Sequence, residues 1–318
     1  MMRASVIVPV YNGAAVIEGC LGSLDRQTLE PSDYEVIVVD DGSTDGTPQI
    51  VEGIITSARA SIRFVQRPAN AGPAAARNAG LREATTEVIA FTDADCEVAP
   101  DWLERALEVL ASSDAVAVEG RTDPKGEPGT LTHQMRNPSG GLWMTCNMIY
   151  RRAALDDVGG FDERFRMAFL EDSDVAFAVQ ERGGEIAWAP EVLVNHLVLQ
   201  GGRRTFFREA RKRFYNPLLY RKHPQMYRRH LKPVVPGIPG LHWKYMGLTI
   251  APLVAWGLGF PGASVLLAPV WAFWFRRVAH AYKARDVVSF AQVAVHPFVQ
   301  TFWVIAGAIK FGSWAWDL

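Results

Sequence analysis

Apolar positions in the first hundred residues fall into two alternating rhythms. Ser5–Val10 (SVIVPV) and Glu35–Asp40 (EVIVVD) are short, β-branched and nearly continuous in apolar character. Parallel strands covered on both faces read this way. Between them, Ala14–Gln27 sets Val16, Ile17, Cys20, Leu21 and Leu24 at helical spacing, and Thr47–Ala60 repeats the pattern. Ile62–Gln66 follows as a strand, Ala74–Ala84 as a helix and Val88–Thr92 (VIAFT) as the next strand. The alternation predicts an α/β fold with a doubly wound, mostly parallel sheet. Ligands of such sheets sit beyond the carboxyl ends of the strands. Tyr11-Asn12, Asp41-Gly42-Ser43 and Asp93-Ala94-Asp95 occupy those ends.

Beyond residue 115 the rhythm is mixed. A Gly/Pro-rich loop is expected over 121–141, a strand over Met144–Tyr150 and a helix over Asp172–Arg182, then strand segments Glu185–Ala189 and Val192–His196. Arg203–Lys232 carries 11 Lys+Arg against the single acid Glu209, interleaved with Phe206, Phe207, Phe214, Tyr215, Tyr220 and Tyr227. Tyr245–Phe275 then runs 31 residues without a charge, broken at Pro261-Gly262, and Val287–Ile309 runs 23. Both exceed the roughly 20 residues of a spanning helix. The expected organisation is a catalytic α/β domain over 1–202, a basic aromatic interfacial segment over 203–244, and C-terminal apolar helices, membrane-associated or transmembrane, over 245–318.

Charge sharpens that division. The net charge of the 318 residues is −1, but residues 1–202 hold 16 Lys+Arg against 31 Asp+Glu, whereas residues 203–318 hold 17 against 3. An acidic domain is joined to a basic, apolar tail, which points to an anionic membrane surface and not to nucleic acid. Single crossings by both apolar segments would put the basic Arg276–Asp286 connection on the far side, against the positive-inside rule. A re-entrant hairpin at Pro261-Gly262 avoids this, and Gln292, His296 and Gln300 give the last segment a polar stripe. The number of crossings stays open, and a buried helical hairpin is the soluble alternative. Cys20, Cys96 and Cys146 show no CxxC spacing, which argues against a disulfide framework or a zinc site. The N-terminal apolar run is too short for a signal-peptide core, so the catalytic face is expected at the cytoplasmic side of the cell membrane.

Asp93-Ala94-Asp95 directly follows an apolar strand. Carboxylates at i and i+2 on such a loop can converge on Mg²⁺ or Mn²⁺ shared with a diphosphate. Alone, this motif or Asp40-Asp41-Gly42-Ser43 reads as a surface turn; two acidic strand ends in one sheet are harder to dismiss. VIVPVYN (6–12), VVDDGSTDGT (38–47), RNAG (77–80), TDADC (92–96), GGFDERF (159–165) and LEDSD (170–174) together resemble the ordered motifs of family-2 glycosyltransferases. These are inverting, nucleotide-sugar-dependent enzymes of the A-type glycosyltransferase fold.

The resemblance implies a set of roles. Pro9 and Tyr11 line the nucleotide pocket, Asp41 with Asp40 accepts from the base, and Arg77 lies near the nucleotide or its phosphates. Asp93 faces the ribose and sugar, beside Ala94, and Asp95 binds the metal. Asp172 is the base, with Glu171 as its neighbour and fallback; without the other motifs, these acids would read as charges enriched in a helix's first turn. His196 completes the metal site in some members, although a lone histidine at a strand end is as often structural. Trp143, Asn147, Tyr150 and Arg151 lie on the segment facing donor sugar and acceptor, with packing an equal reading for Trp143. Ser43 and Asp45 read as helix caps. No QxxRW follows Asp172, which favours single-residue transfer over processive synthesis. The implied activity moves a sugar from a nucleotide-diphosphate donor to a lipid-linked or cell-envelope glycan acceptor. A nucleotidyltransferase that forms sugar nucleotides and a catalytically idle membrane scaffold are the rivals. GxGxxG, GxSxG and HExxH are absent.

Overall fold

Val6, Ile7 and Val8 lie at the centre of the first strand and are wholly buried, as their continuous apolar run requires. A computed structural model describes residues 3–127, 135–198, 203–231, 272–273, 276 and 287–313. It divides at residue 200 into two compact units.

In the first unit, β1 (Ala4–Val10), β2 (Tyr34–Asp40), β3 (Ser61–Gln66), β4 (Val88–Phe91), β5 (Cys96–Val98), β6 (Ala117–Lys125), β7 (Met148–Arg151) and β8 (Ile186–Leu197) form one sheet. Its order is β3-β2-β1-β4-β7-β6-β8-β5. The β3-β2-β1-β4 half is parallel throughout. Beyond β4 the sheet is mixed: β7 runs antiparallel to β4 and β6, β8 parallel to β6, and β5 antiparallel to β8. The expectation of a mostly parallel sheet therefore holds only for the half whose strands alternate with helices, because antiparallel neighbours need no crossover helix.

Helices α1 (Ile17–Asp25), α2 (Thr47–Ile55), α3 (Pro73–Glu83), α4 (Trp102–Ser112), α5 (Arg152–Val158) and α6 (Glu171–Glu181) complete the unit. Leu21 and Leu24 of α1, Val51 of α2 and Trp102, Leu103, Ala106 and Leu110 of α4 join strand residues in one core. The interior of α3 reads Ala74, Ala75 and Ala76, all buried, which lets that helix lie close to the sheet.

Three expectations need correction. The loop expected over 121–141 begins later, because β6 runs on to Lys125. Met144–Tyr150 is not all strand: Thr145–Asn147 make a 3-10 turn before β7. The two segments expected on either side of Pro190 are one strand, β8, whose register with β6 slips between Gly120 and Arg121. Pro190 donates no ladder hydrogen bond, and a strand carrying it is pushed to a bulge. Gly120 sits where the chains close up; a Cβ there would lie 2.2 Å from the Val192 carbonyl oxygen.

The second unit contains α7 (Arg203–Lys212), a 3-10 turn (Arg213–Tyr215), α8 (Asn216–Lys222), α9 (Pro224–Leu231) and α10 (Val287–Phe311). Val304 and Ala308 of α10 are buried, as are Leu218 and Leu219 of α8. Phe214 meets Trp303 and Phe311 edge-on, and Arg211 lies 5.2 Å over the Trp303 ring. Phe302, Ile305 and Ile309, on the other side of α10, are exposed. No helix among the described residues is long and apolar enough to cross a membrane. Most of the expected apolar segment 245–275, and the side chains of Gln292 and His296, lie outside the described residues.

Candidate active site

The carboxyl ends of β1, β2 and β4 open onto a cavity of about 380 Å³ whose lining includes Pro9, Tyr11, Asp41, Asn70, Gly72, Arg77, Asp93, Ala94, Asp95 and Arg166. Its walls are fixed by short-range polar chemistry. Asn12, at φ 51°, accepts the Thr44 N–H at 2.8 Å on Oδ1 and donates its own N–H to Ser43 Oγ at 2.8 Å. Gly13 donates to Thr47 Oγ1 and Ala14 to Asp45. Asp45 also accepts the Thr47 N–H at the start of α2, whose N-cap is Gly46 and not Asp45. Ser43 instead ties the first loop to the second.

Asp41 is buried, yet every contact it makes is with the protein. It accepts the N–H groups of Ala71 and Gly72, the latter at 2.8 Å, and pairs with the Arg67 guanidinium. The carboxylate thus folds the 67–72 loop around the cavity. Gly72, at φ 98°, is required there, since a Cβ would meet the Arg166 carbonyl oxygen at 2.5 Å. Asp40 turns away: it accepts the Ser43 N–H and does not line the cavity. Its expected contact with the base gives way to closing the turn. Tyr11 presents a half-exposed ring at the mouth.

Arg77 is the hub. Its guanidinium donates to Asp93 Oδ1 from Nη2 and to Glu171 Oε1 from Nη1, each at 2.8 Å, and lies 5.6 Å over the Phe161 ring. Its Nε is buried with no hydrogen-bond partner. Glu171 is buried and doubly committed, because Oε2 accepts the Phe169 N–H at 2.6 Å. Asp172 accepts from Ser173 on Oδ1 only, at 2.7 Å, so Oδ2 has no partner among the described residues. Burial, and then the negative charge of Glu171, push its pKa up to about 7. Leu170 enters this helix in the left-handed region, at φ 72°, a strained position that sets where the acids begin.

The expected sugar-facing residues divide. Trp143 packs edge-on against Phe177 of α6, its ring centroid 5.4 Å away, so packing is what the structure supports for it. Asn147 is a core brace: it accepts from Trp102 Nε1 and donates to the Arg121 and Val192 carbonyls. Arg151 caps the end of α4 through the Leu110 and Ala115 carbonyls. Asn147 thus spends its amide on Trp102 and on the backbone of β6 and β8, Arg151 spends its guanidinium on the end of α4, and neither lines the cavity. Tyr150 is buried, and its phenol is raised by burial and by the charges of Asp172 and Glu119.

A family model described as Glycosyl transferase family 2 matches residues 5–175, more than half of the chain. The chain belongs to glycosyl transferase family 2. Among curated relatives, the glycosyltransferase AglE of Haloferax volcanii is 33% identical over 168 residues, 49% of this chain and 55% of AglE. The pre-mycofactocin glycosyltransferase of Mycobacterium tuberculosis is 29% identical over 332 aligned positions, 97% of this chain and 63% of that one. The chain thus spans between about half and two thirds of the length of these relatives. Two solved structures share the fold. Staphylococcus aureus TarS 1–349 with UDP-GlcNAc has a TM-score of 0.57 at 18% identity, covering 98% of this chain and 93% of that one. The mannosyltransferase PcManGT of Pyrobaculum calidifontis, with GDP-Man and Mn²⁺, has a TM-score of 0.55 at 24% identity, covering 99% and 87%.

The donor set of this family-2 chain fits a divalent cation. His196 Nε2 lies 3.6 Å from Asp95 Oδ1, while Nδ1 sits 3.0 Å from the Leu197 carbonyl oxygen. A proton on Nδ1 directed at that carbonyl leaves the Nε2 lone pair on the Asp95 side, the arrangement a metal-binding imidazole needs. Cys96 is the direct cross-strand partner of His196, but its thiol is fully buried and held far toward the protonated form by burial. Two site features escaped sequence reasoning. Asn70 lines the cavity from a loop that carries no acidic motif, and Arg166 lines it from the position just after GGFDERF. Glu119 is buried in mid-strand and accepts from Asn137 Nδ2 and from the N–H groups of Gly141, Leu142 and Trp143, shaping the loop before β7. A lone glutamate in an apolar strand was the available signal.

Proposed function

We propose that the protein is an inverting, non-processive glycosyltransferase acting at the cytoplasmic face of the cell membrane. It moves one sugar from a nucleotide-diphosphate donor to a lipid-linked or cell-envelope glycan acceptor. The observation that carries this reading is the junction at Arg77. That side chain lines the cavity built by the strand-end motifs and is bonded to the residue preceding Asp172. TarS with UDP-GlcNAc and PcManGT with GDP-Man supply the class of donor.

In this reading Pro9, Tyr11 and Asn70 enclose the base, with Asp41 holding the loop that shapes the pocket. The N-terminal end of α3 reaches the cavity through Pro73, Ala76 and Arg77, and its helix dipole suits a diphosphate. Asp93 faces the ribose and sugar. Asp95 and His196 would hold Mg²⁺ or Mn²⁺, which when bound neutralises charge on the departing diphosphate. Asp172 Oδ2 takes the proton from the acceptor hydroxyl as that oxygen attacks the anomeric carbon opposite the leaving group. A pKa near 7 matches a base that must accept a proton and later release it at neutral pH.

The basic α7 and the exposed Phe302, Ile305 and Ile309 of α10 suit attachment at a headgroup layer, with cationic heads toward phosphates and apolar groups beneath. Incubation with UDP-GlcNAc or GDP-mannose and Mn²⁺ tests the chemistry. Release of nucleoside diphosphate supports transfer, whereas turnover that requires pyrophosphate and yields nucleoside triphosphate would favour the nucleotidyltransferase.

A further inference from the structure

Glu171 and Asp172 are consecutive acids at the start of one helix, yet their surroundings differ sharply. Both oxygens of Glu171 are spent, one on Arg77 and one on the Phe169 N–H. Asp172 keeps one oxygen open. Arg77 is buried, carries the two carboxylates Glu171 and Asp93 on its two terminal nitrogens, and stacks on Phe161. Asp93 belongs to the loop after β4 in the parallel half of the sheet, and Glu171 to α6, which packs against α5 and sets Phe177 against Trp143. One guanidinium therefore spans from the donor-side loop to the helix that carries the base.

We propose that Glu171 is a positioning residue and not a second base: it holds Arg77 so that Asp93 and the Asp172 helix are locked in one geometry. The inference rests on the reading of Asp172 as the base. A carboxylate whose two oxygens already accept charge-assisted and backbone hydrogen bonds is a weaker proton acceptor than one with an oxygen free of partners. Losing the Glu171 carboxylate would leave Arg77 a second buried guanidinium donor without its partner, beside the Nε that already has none, which is unfavourable. Its unpartnered Nε leaves one donor in hand for a bound sugar or phosphate oxygen.

Asp172 also feels this arrangement electrostatically. The charged or titratable groups around it are Glu171 on its own helix, Arg77 from α3, Asp93 from the β4 loop and Tyr150 from β7, with the Ser173 N–H on Oδ1. Glu171 raises its pKa and Arg77 lowers it. Neutralising Glu171 while keeping its shape should therefore make Asp172 a stronger acid. That shift reports the lost charge alone; the lock is read from Glu171→Asp, which keeps the charge and shortens the reach to Arg77.

The test is a carboxyl ¹³C NMR titration of aspartate-labelled protein, with nucleoside diphosphate release from UDP-GlcNAc or GDP-mannose followed in parallel. In Glu171→Gln, Asp172 should titrate about one pH unit lower than in the wild type, and release well above that pH should stay within about 10-fold. Glu171→Asp, which keeps the charge but shortens the reach, should leave the titration nearly unmoved and lower release about as much or more. Full release in folded Glu171→Asp overturns the proposal, because shortening the contact with Arg77 would then cost nothing. So does a loss of release of 10²-fold or more in Glu171→Gln with full release in Asp172→Asn, because Glu171 would then be the base. Release surviving in Asp172→Asn alongside reduced release in Glu171→Asp refutes the base assignment alone and leaves the Arg77 lock standing.

Discussion

The two halves of the sheet solve opposite problems. In the parallel half, the acids after β2 are consumed by the protein itself, Asp40 by Ser43, Asp41 by Ala71, Gly72 and Arg67, and Asp45 by Thr47 and Ala14, while Asp93 and Asp95 after β4 line the cavity. Those bonds make rigid loops, and a rigid pocket loses little entropy when it binds. In the mixed half the buried polar groups brace the interior, as Asn147 and Glu119 do, while Asp172 is left half satisfied and hard to ionise. The comparison teaches that acids of similar sequence appearance divide into those that build the site and one that is poised to react. Hydrogen-bond saturation separates them, not burial, for Glu171 and Asp41 are both buried and both saturated.

The largest effect expected is on the reactive acid. Asp172→Asn keeps size and removes basicity, so transfer should fall about 10²–10⁴-fold while UDP or GDP binding with Mn²⁺, measured calorimetrically, stays near wild type. Loss of nucleotide binding as well would erase the division between the halves. On the binding side, Asp95→Ala should weaken Mn²⁺-dependent nucleotide binding on the order of 10²-fold, since the cation interacts with the diphosphate directly. Equal binding by this variant in EDTA and in Mn²⁺, both at wild-type strength, would remove Asp95 from the metal site.

Glu119→Ala would leave a buried amide and three backbone N–H groups unpaired at once, which should cost about 2–4 kcal/mol of unfolding free energy in a denaturant titration. A cost within error of zero would mean water replaces the carboxylate freely. The last effect concerns Asp172 again. Its folded pKa is raised, so the folded state prefers the protonated form, and the penalty appears as pH climbs from the ordinary carboxylate range through about 7. Asp172→Asn should therefore gain about 3–4 kcal/mol over wild type near about pH 8 and almost nothing near about pH 3. A gain of the same size at both pH values would contradict the raised pKa.

The two halves were also unequally legible. Continuous β-branched runs such as Val6–Val8 and Val36–Val39 identify buried parallel strands directly, and the acids following them fall where such sheets bind ligands. The mixed half hides its order. Pro124 and Pro190 stand inside strands, Gly120 marks a close approach and not a loop, and Asn147 looks exposed in sequence because nothing local reveals that Trp102 and two carbonyls await it. Those partners lie 26 to 45 residues away. Local pattern cannot carry such information, whereas Asp45 and Thr47, two residues apart, could be read at once. The family resemblance located Asp172 and Arg77, but their separate duties depend on contacts 94 residues apart in the chain.

The most direct measurement of the central claim is the pH dependence of nucleoside diphosphate release by the wild type and Asp172→Asn at saturating nucleotide sugar and Mn²⁺. The wild type should show an acidic limb with an apparent pKa near about 7, below which release falls tenfold per pH unit. Asp172→Asn should retain only a low rate without that limb. An identical limb at comparable rate in Asp172→Asn would contradict the account, because the proton acceptor would then lie elsewhere.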